Sequence, residues 1–267
     1  MRDTASRGIG VIGYGAIGRE LCSRLAVDAA RYVPVVLMRR ASSHADVPGL
    51  TVVRDLDALI AARPALVVEA AGHEAVRAYA PQLLDRGISV MITSVGVLAD
   101  DAFHDRLTQA AAASGAKLLI PSGALGGLDY ARLLKFARDA SVVYTSRKPI
   151  AAWRKELTDL GVDPASLCGE YVLYEGTARE AARRYPKSLN AALGLAIAGI
   201  GVERTHVRVV ADAAVSRNTH EVAIASEFGT AHLVFENFAS PDNPKTSMLV
   251  VPSLMVGIEA YFDSGAV

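Results

Sequence analysis

Short apolar runs alternate with helix-spaced apolar stripes over the first 121 residues. Ile17, Leu21 and Leu25 form one such stripe, and similar stripes cover residues 73–86 and 101–114. Because helices separate the apolar runs, the pattern predicts a parallel, doubly wound α/β sheet. The runs predicted as its strands are residues 9–13, 32–38, 65–71, 88–94 and 116–120.

The pattern changes after residue 121, where the sequence PSGALGG interrupts regular structure. Predicted helices then cover 128–139 and 189–200, and predicted strands cover 141–146, 170–175, 206–211, 221–226 and 231–238. Strands that follow one another without helices predict a second, smaller α/β domain with a mixed or antiparallel sheet. A last apolar helix, 248–262, is expected to return to the first domain. The expected domains are 1–121 with about 240–267, and 122–239.

A glycine motif, GYGAIG, stands between the first predicted strand and the first helix. Gly13 allows a tight turn, Gly15 lets the backbone approach a pyrophosphate, and Gly18 lets the helix pack closely on the strand. Ala16 and Ile17 lie at the start of the helix, whose unpaired N–H groups favour negative charge. Together with its flanking strand and helix, the motif predicts a dinucleotide-binding Rossmann domain.

Arg39 and Arg40 directly follow the second predicted strand, where an acidic residue is usual in NAD-specific sites. An Asp or Glu at this point usually binds the ribose 2′-hydroxyl of NAD. Two guanidinium groups can bind the 2′-phosphate of NADP or stack on adenine; the alternative is that both are solvated surface groups. We therefore expect NADP to be accepted at least as readily as NAD. Ala71 and Ser94 follow two other strands and are expected beside the cofactor.

The charge balance argues against large anionic partners. Lys plus Arg and Asp plus Glu each total 28, so no net charge attracts nucleic acid or an anionic membrane. Cys22 and Cys168 have no metal-ligand spacing. The polar N-terminal sequence MRDTASRG does not resemble a signal peptide, and no apolar run reaches the ~20 residues of a membrane span. We expect a cytoplasmic protein that binds small molecules.

His220 is the most informative of the six histidines. It lies in the polar sequence SRNTHE, predicted as a turn that leads into a strand. Its side chain can project into a cleft, or it can be a core histidine, because His220, Val222 and Ile224 share one strand face. His206 and His232 have no ligand spacing with it, and we expect no metal site.

Seven segments of the sequence resemble the L-aspartate dehydrogenase family: GVIGYGAIG, VVEAAGHEAV, SVGVLAD, IPSGALGGLD, YPKSLNAALGLAIAG, VRVVADAAVSRNTHEV and NPKTSML. The resemblance implies a homodimer that oxidatively deaminates L-aspartate with NAD(P), through iminoaspartate, to oxaloacetate and ammonia. It leaves open whether iminoaspartate is passed on to NAD biosynthesis. The family pattern implies that His220 is catalytic and that Ala124 and Asn190 contact the nicotinamide cofactor. Gly72 and His73 depart from the small polar residue often found after VVEAA.

The reaction requires proton transfers and the binding of two carboxylates. With an ordinary pKa of ~6.5, His220 would act as a general acid and base near neutral pH. The candidates for carboxylate binding are Lys148, Lys187, Arg217, Asn218, Lys245 and Thr246.

Two other classes of function remain open. One is another imine or semialdehyde reductase, similar to dihydrodipicolinate reductase or homoserine dehydrogenase, although the paired histidines and Ser-Lys pattern associated with the former are absent. The other is a non-catalytic NAD(P)-sensing protein, which would have no need of His220 in a cleft.

Overall fold

The computed structural model describes residues 7–38, 50–186 and 188–263, without the side chains of residues 244 and 245. The chain forms two compact units. The first unit comprises Met1–Pro121 and Val251–Val267, and the second comprises Ser122–Val250. Residues 240–250, which the expected boundaries assign to the first domain, belong to the second unit.

The first unit contains a six-stranded sheet in which every strand pair is parallel. The strand order, β3-β2-β1-β4-β5-β6, is that of a Rossmann sheet and confirms the predicted fold class. Its strands are β1 (Arg7–Ile12), β2 (Tyr32–Leu37), β3 (Thr51–Val53), β4 (Leu66–Glu69), β5 (Ser89–Ile92) and β6 (Leu118–Leu119). The short strand β3 was not predicted, because three residues are too few to show a periodic pattern of apolar positions.

In the described residues, four helices connect these strands: α1 (Ala16–Val27), α2 (Leu56–Ala61), α3 (His73–Asp85) and α4 (Asp101–Ser114). A 3₁₀ helix, Val95–Ala99, follows β5. The bounds of α4 agree with the prediction because both ends carry local signals. The Asp100 carboxylate accepts a hydrogen bond from the Phe103 N–H, and Gly115 ends the helix in the left-handed conformation with φ +73°.

The second unit contains a five-stranded mixed sheet in the order β11-β10-β7-β9-β8. Only β7 and β9 are parallel, and the other neighbours are antiparallel. The strands are β7 (Ala140–Pro149), β8 (Glu170–Thr177), β9 (Thr205–Asp212), β10 (Asn218–Ser226) and β11 (Gly229–Asn237). A separate pair, β12 (Ala239–Ser240) and β13 (Asn243–Ser247), follows them, so the candidate Thr246 lies on a strand.

Helices cover one face of the second sheet. Tyr144, Val207 and Val209 point into the core on this face, where they pack with Ala131 and Ala192 of the helices. The helices are α5 (Leu128–Leu133), α6 (Arg154–Asp159), α7 (Ala178–Arg184) and α8 (Asn190–Ala198), with 3₁₀ helices at Leu134–Phe136, Ile150–Trp153 and Pro164–Ser166. The helix predicted over 128–139 is therefore shorter, and α6 and α7 were not predicted.

The last helix, α9 (Val250–Phe262), belongs almost entirely to the first unit. Its Val251, Leu254 and Ile258 are buried in the same core as Ile9 and Val11 of β1. The expected return of this segment to the first domain is therefore seen. In the described parts of the chain, every helix is too short or too polar to cross a lipid bilayer.

The strand β10 begins three residues earlier than predicted. His220 lies inside it, opposite Ser146 of β7 and Phe235 of β11. The polar sequence around His220 was predicted as a turn, but pairing with neighbouring strands on both sides keeps it extended. His220 is therefore fixed by a strand in the interior of the sheet.

The close contact of α1 with β1 yields a first prediction. A Cβ at position 18 would overlap the carbonyl oxygen of Gly13, whereas a Cβ at position 15 would meet nothing within 4 Å. Gly18→Ala is expected to lower the free energy of unfolding by about 1–3 kcal/mol through overpacking. Gly15→Ala is the matched control and should cost less than about 1 kcal/mol as a changed helix cap. Thermal unfolding measures both, and equal losses would contradict the assigned packing.

Candidate active site

The glycine loop at the carboxyl end of β1 has the geometry that the motif predicts. Gly13 has φ +97°, and a Cβ there would lie 2.8 Å from the carbonyl oxygen of Ala70. The Gly13 N–H donates to the Leu37 carbonyl at 3.0 Å, which fixes the turn. Gly15 faces open space, so a ligand can approach its backbone closely. Only glycine fits at position 13, and the backbone at Gly15 is open to a ligand.

The helix α1 begins directly at this loop, with Gly15 as its N-cap. No side chain among the described residues caps its first turn. Ala16 and Ile17 are half-buried there, and Ile17 packs against the core of the first unit. The N–H groups of the first turn, together with the helix dipole, therefore suit a phosphate group.

A cavity of about 610 Å³ opens beside the glycine loop. Gly13, Gly15 and Leu37 line it, and so does Ala71, which had been expected beside the cofactor. Arg54 also lies in its wall, immediately after β3. Sequence reasoning missed Arg54 because β3 was not predicted. Arg39 and Arg40 lie outside the described residues.

A buried carboxylate joins the two loops that follow β4 and β5. Glu69 is 1% exposed, and its carboxylate accepts hydrogen bonds from the backbone N–H groups of Ala71 at 2.7 Å and Gly72 at 2.6 Å. It also accepts from the backbone N–H of Ser94 at 3.1 Å and from the Ser94 hydroxyl at 3.0 Å. The Ser94 side chain therefore bonds to Glu69, and both loops are held in place by one charged group.

In the second unit, His220 is 6% exposed and lies on the helix-covered face of the sheet. Its Nδ1 is 2.7 Å from the hydroxyl oxygen of Tyr144. Tyr144 itself has no exposed surface. The structure thus agrees with the alternative of a buried, hydrogen-bonded histidine, which lies close enough to Lys148 for the lysine charge to act on it.

Burial shifts the titration of His220 away from the range assumed from the sequence. Loss of hydration lowers its pKa to about 4, and the positive charge of Lys148 contributes in the same direction. The imidazole is therefore neutral at pH 7. The ring is almost fully buried, so its pKa does not keep the ordinary value near 6.5.

Lys148 and Asn218 line one cavity of about 650 Å³, together with Ser188. Lys148 is 8% exposed, and its Nζ lies 4.9 Å from the centre of the Trp153 ring. Two of the six candidates for carboxylate binding are therefore brought together, close enough to His220 for the lysine charge to affect its pKa.

The other candidates are placed differently. Arg217 is exposed, and its guanidinium lies 4.1 Å from the ring centre of Phe238. Thr246 lies on β13 and is not among the described residues that line the cavity at Lys148. Lys187 and the side chain of Lys245 lie outside the described residues.

Ala124 and Asn190, which the resemblance implies as contacts of the nicotinamide cofactor, lie on the same side of the second sheet as His220. Ala124 belongs to a loop bonded to β11, since its carbonyl accepts from the Asn237 side-chain amide at 2.8 Å. A Cβ on Gly126 of this loop would lie 3.1 Å from Phe235, the residue opposite His220. Asn190 is half-buried at the start of α8, which packs on that face.

The opposite face of the sheet carries an ion-pair network around Arg147. Its guanidinium lies 2.6 Å from Glu170, 2.9 Å from Asp212 and 2.8 Å from Glu221. These hydrogen bonds raise the pKa of Arg147. The network joins β7, β8, β9 and β10. Among the described residues, no group of three or more His, Cys, Asp or Glu side chains could hold a metal ion.

Two family models match the chain. Residues 13–121 match the NAD-binding domain of homoserine dehydrogenase, and residues 129–261 match the C-terminal domain of aspartate dehydrogenase. L-aspartate dehydrogenase 2 of Bordetella pertussis is 45% identical over 258 residues, which cover 95% of this chain and 96% of that protein. This chain belongs to the L-aspartate dehydrogenase family.

Other relatives agree with this family assignment. L-aspartate dehydrogenase of Methanosarcina barkeri is 39% identical over 92% of this chain and 93% of its own length. The crystal structure of aspartate dehydrogenase from Thermotoga maritima superimposes with a TM-score of 0.75 at 29% identity, covering 96% of both chains. An archaeal homoserine dehydrogenase bound to NADPH has a TM-score of 0.59 at 13% identity and shares the fold alone. Membership of the family and the NAD-binding domain make the chain an NAD(P)-dependent oxidoreductase.

The Glu69 carboxylate yields a prediction about cofactor binding. Glu69→Gln replaces one acceptor oxygen with an NH₂ group that faces N–H donors. A hydrogen bond to a charged group contributes about 1.5–3 kcal/mol to stability, and this contribution is lost where the NH₂ group stands. The loosened loops must be reordered when the cofactor binds, so the dissociation constant for NAD(P) is expected to rise by about tenfold, the equivalent of 1.4 kcal/mol. Titration calorimetry measures this constant. Ser94→Ala removes one bond and should have a smaller effect, while wild-type affinity in Glu69→Gln would contradict the assigned role.

The low pKa of His220 yields a prediction about stability. Between pH 6.5 and about 4 the unfolded chain binds a proton at His220 that the folded chain does not, so acidification lowers the free energy of unfolding. The loss is about 3 kcal/mol, at 1.36 kcal/mol per pKa unit. His220→Gln should lack this part of the pH dependence, as measured by urea unfolding from pH 7 to pH 4. Parallel curves for the two proteins would contradict the lowered pKa.

Proposed function

We propose that the chain catalyses the reversible, NAD(P)-dependent oxidative deamination of L-aspartate, through iminoaspartate, to oxaloacetate and ammonia. The observation that carries this proposal is the nearly buried Lys148 in a cavity near His220. A buried cation of this kind suits a small dianionic substrate, because low exposure strengthens its pairing with a carboxylate. The curated relatives named L-aspartate dehydrogenase support the same substrate.

The residues of the second unit have distinct parts in this reaction. Lys148 and Asn218 bind one carboxylate of L-aspartate, and Lys245 and Thr246 are proposed for the other. His220 is the proposed catalytic residue. It contacts the nitrogen or oxygen atom that is bonded to the reacting carbon. Because burial keeps its imidazole neutral, His220 acts through a hydrogen bond, as donor or acceptor according to which ring nitrogen carries the proton.

The first unit is proposed to hold the pyrophosphate of the cofactor on Gly13, Gly15 and the first turn of α1, which includes Ala16, Ile17 and Gly18. Gly15 offers the free approach that a pyrophosphate requires, so the residues present fit the group. Ala71 and Ser94 position the adjoining loops through Glu69. When bound, the nicotinamide ring accepts the hydride that leaves Cα. Ala124 and Asn190 are proposed as its contacts in the second unit.

The preference between cofactors is proposed to depend on Arg39 and Arg40. A 2′-phosphate pairs well with guanidinium groups, so NADP is expected to serve at least as well as NAD. Arg54, in the wall of the cavity beside the glycine loop, is a further cation for the adenosine end.

We further propose a homodimer in the cytoplasm. The face of the second sheet opposite His220 carries Val172 and Val234, which are 38% and 51% exposed. A second copy would bury these apolar side chains, which are costly to leave in water.

The test is a steady-state assay with NAD and with NADP. L-aspartate oxidation and the reduction of oxaloacetate with ammonia should both proceed, while L-homoserine and dihydrodipicolinate should not react. His220→Ala is expected to lower kcat by ~10²-fold or more while the cofactor still binds. Absence of aspartate turnover with either cofactor would refute the proposal. Turnover of a rival substrate would favour another reductase, and cofactor binding without any turnover would favour a sensor.

A further inference from the structure

The hydroxyl of Tyr144 is hydrogen-bonded to one ring nitrogen of His220. Its oxygen lies 2.7 Å from Nδ1, and the two rings lie 6.0 Å apart with an interplanar angle of 27°. Tyr144 is fully buried at the middle of β7, on the strand neighbouring β10. Both residues are therefore held by strand pairing, and the contact does not depend on a loop.

The chemistry of the two groups determines the direction of this hydrogen bond. Burial raises the pKa of Tyr144. Tyr144 therefore remains a neutral phenol with one proton to donate. A phenol O–H is a stronger donor than an imidazole N–H, and an unprotonated imidazole nitrogen is a stronger acceptor than a phenol oxygen. The bond accordingly runs from Tyr144 to Nδ1.

We propose that Tyr144 is a positioning residue that holds neutral His220 in the tautomer with its proton on Nε2. This inference deepens the proposed function and rests on it for its catalytic consequence. With Nδ1 occupied, the ring group left for the substrate is the Nε2–H donor. His220 then acts as a neutral electrophile and does not take up a proton during the reaction.

This tautomer affects the step that forms or breaks the C–N bond. When ammonia adds to the oxaloacetate carbonyl, a C–N bond forms and the π-electron pair of the C=O bond moves to oxygen. The Nε2–H group donates a hydrogen bond to that oxygen as its negative charge develops. In the direction of deamination the same bond stabilises the oxygen before the C–N bond breaks. The opposite tautomer would present a lone pair to this oxygen and repel it.

Nuclear magnetic resonance of ¹⁵N-histidine-labelled whole protein tests the tautomer directly, because a protonated ring nitrogen differs in chemical shift from an unprotonated one. Loss of signals in His220→Gln identifies His220 among the six histidines. At pH 7 the wild type is expected to show His220 with Nε2 protonated and Nδ1 unprotonated. Tyr144→Phe is expected to show a mixture of both tautomers.

Tyr185→Phe is the matched control. It removes a hydroxyl from the same core, bonded at 3.3 Å to the Leu173 carbonyl, and leaves the Tyr144 contact in place. The His220 tautomer should be unchanged in this variant. A change as large as in Tyr144→Phe would attribute the effect to general loosening of the core and overturn the proposal.

Activity supplies the second readout. Tyr144→Phe is expected to lower kcat by about tenfold, the effect of one hydrogen bond at 1.4 kcal/mol per tenfold, with little change in KM for L-aspartate. Wild-type His220 protonated on Nδ1, an unchanged tautomer in Tyr144→Phe, or an unchanged kcat with a mixed tautomer would each overturn the proposal. If Tyr144→Phe does not fold, the wild-type spectrum still decides the tautomer. Failure of the wild type to oxidise L-aspartate would refute the proposed function separately, since the spectrum requires no turnover.

Discussion

The alternation of side chains along β7 is the constraint on which the second unit depends. Arg147 and Lys148 are consecutive cations that point to opposite faces of one strand. Three carboxylates surround Arg147 on one face, whereas Lys148 lies over Trp153 in a cavity on the other. A slip of one residue in the strand register would exchange these environments, placing a lysine among the carboxylates and an arginine in the core. The ion pairs of Arg147 therefore also fix the position of Lys148.

The same register determines the chemical state of His220. Pairing of β10 with β7 sets His220 opposite Ser146 and beside Tyr144. A histidine on a loop could turn toward water and recover an ordinary pKa. Buried on the helix-covered face of the sheet, His220 stays dry, and the positive charge of Lys148 also favours the neutral imidazole.

Much of the first unit could be predicted because its signals are local. The glycine motif, the cap at Asp100 and the left-handed Gly115 each determine a nearby element. The beginning of β10 could not be predicted in the same way, because polar residues stay extended there only through neighbours far along the chain. Likewise, Ser94 was expected beside the cofactor from its strand, but its bonds to Glu69 join two residues that are 25 positions apart in the chain. The pKa of His220 also depends on burial, which spacing in a sequence does not reveal.

Trp153 gives the protein an intrinsic fluorescence signal in the cavity at Lys148. It is the single tryptophan in the chain, and its ring lies beneath the Lys148 ammonium in the wall of the cavity. Indole emission responds to a nearby electric field, and a carboxylate that neutralised Lys148 would change that field at a distance of 4.9 Å. The protein thus carries its own fluorescent reporter in the cavity proposed for the substrate carboxylate, free of background from other tryptophans.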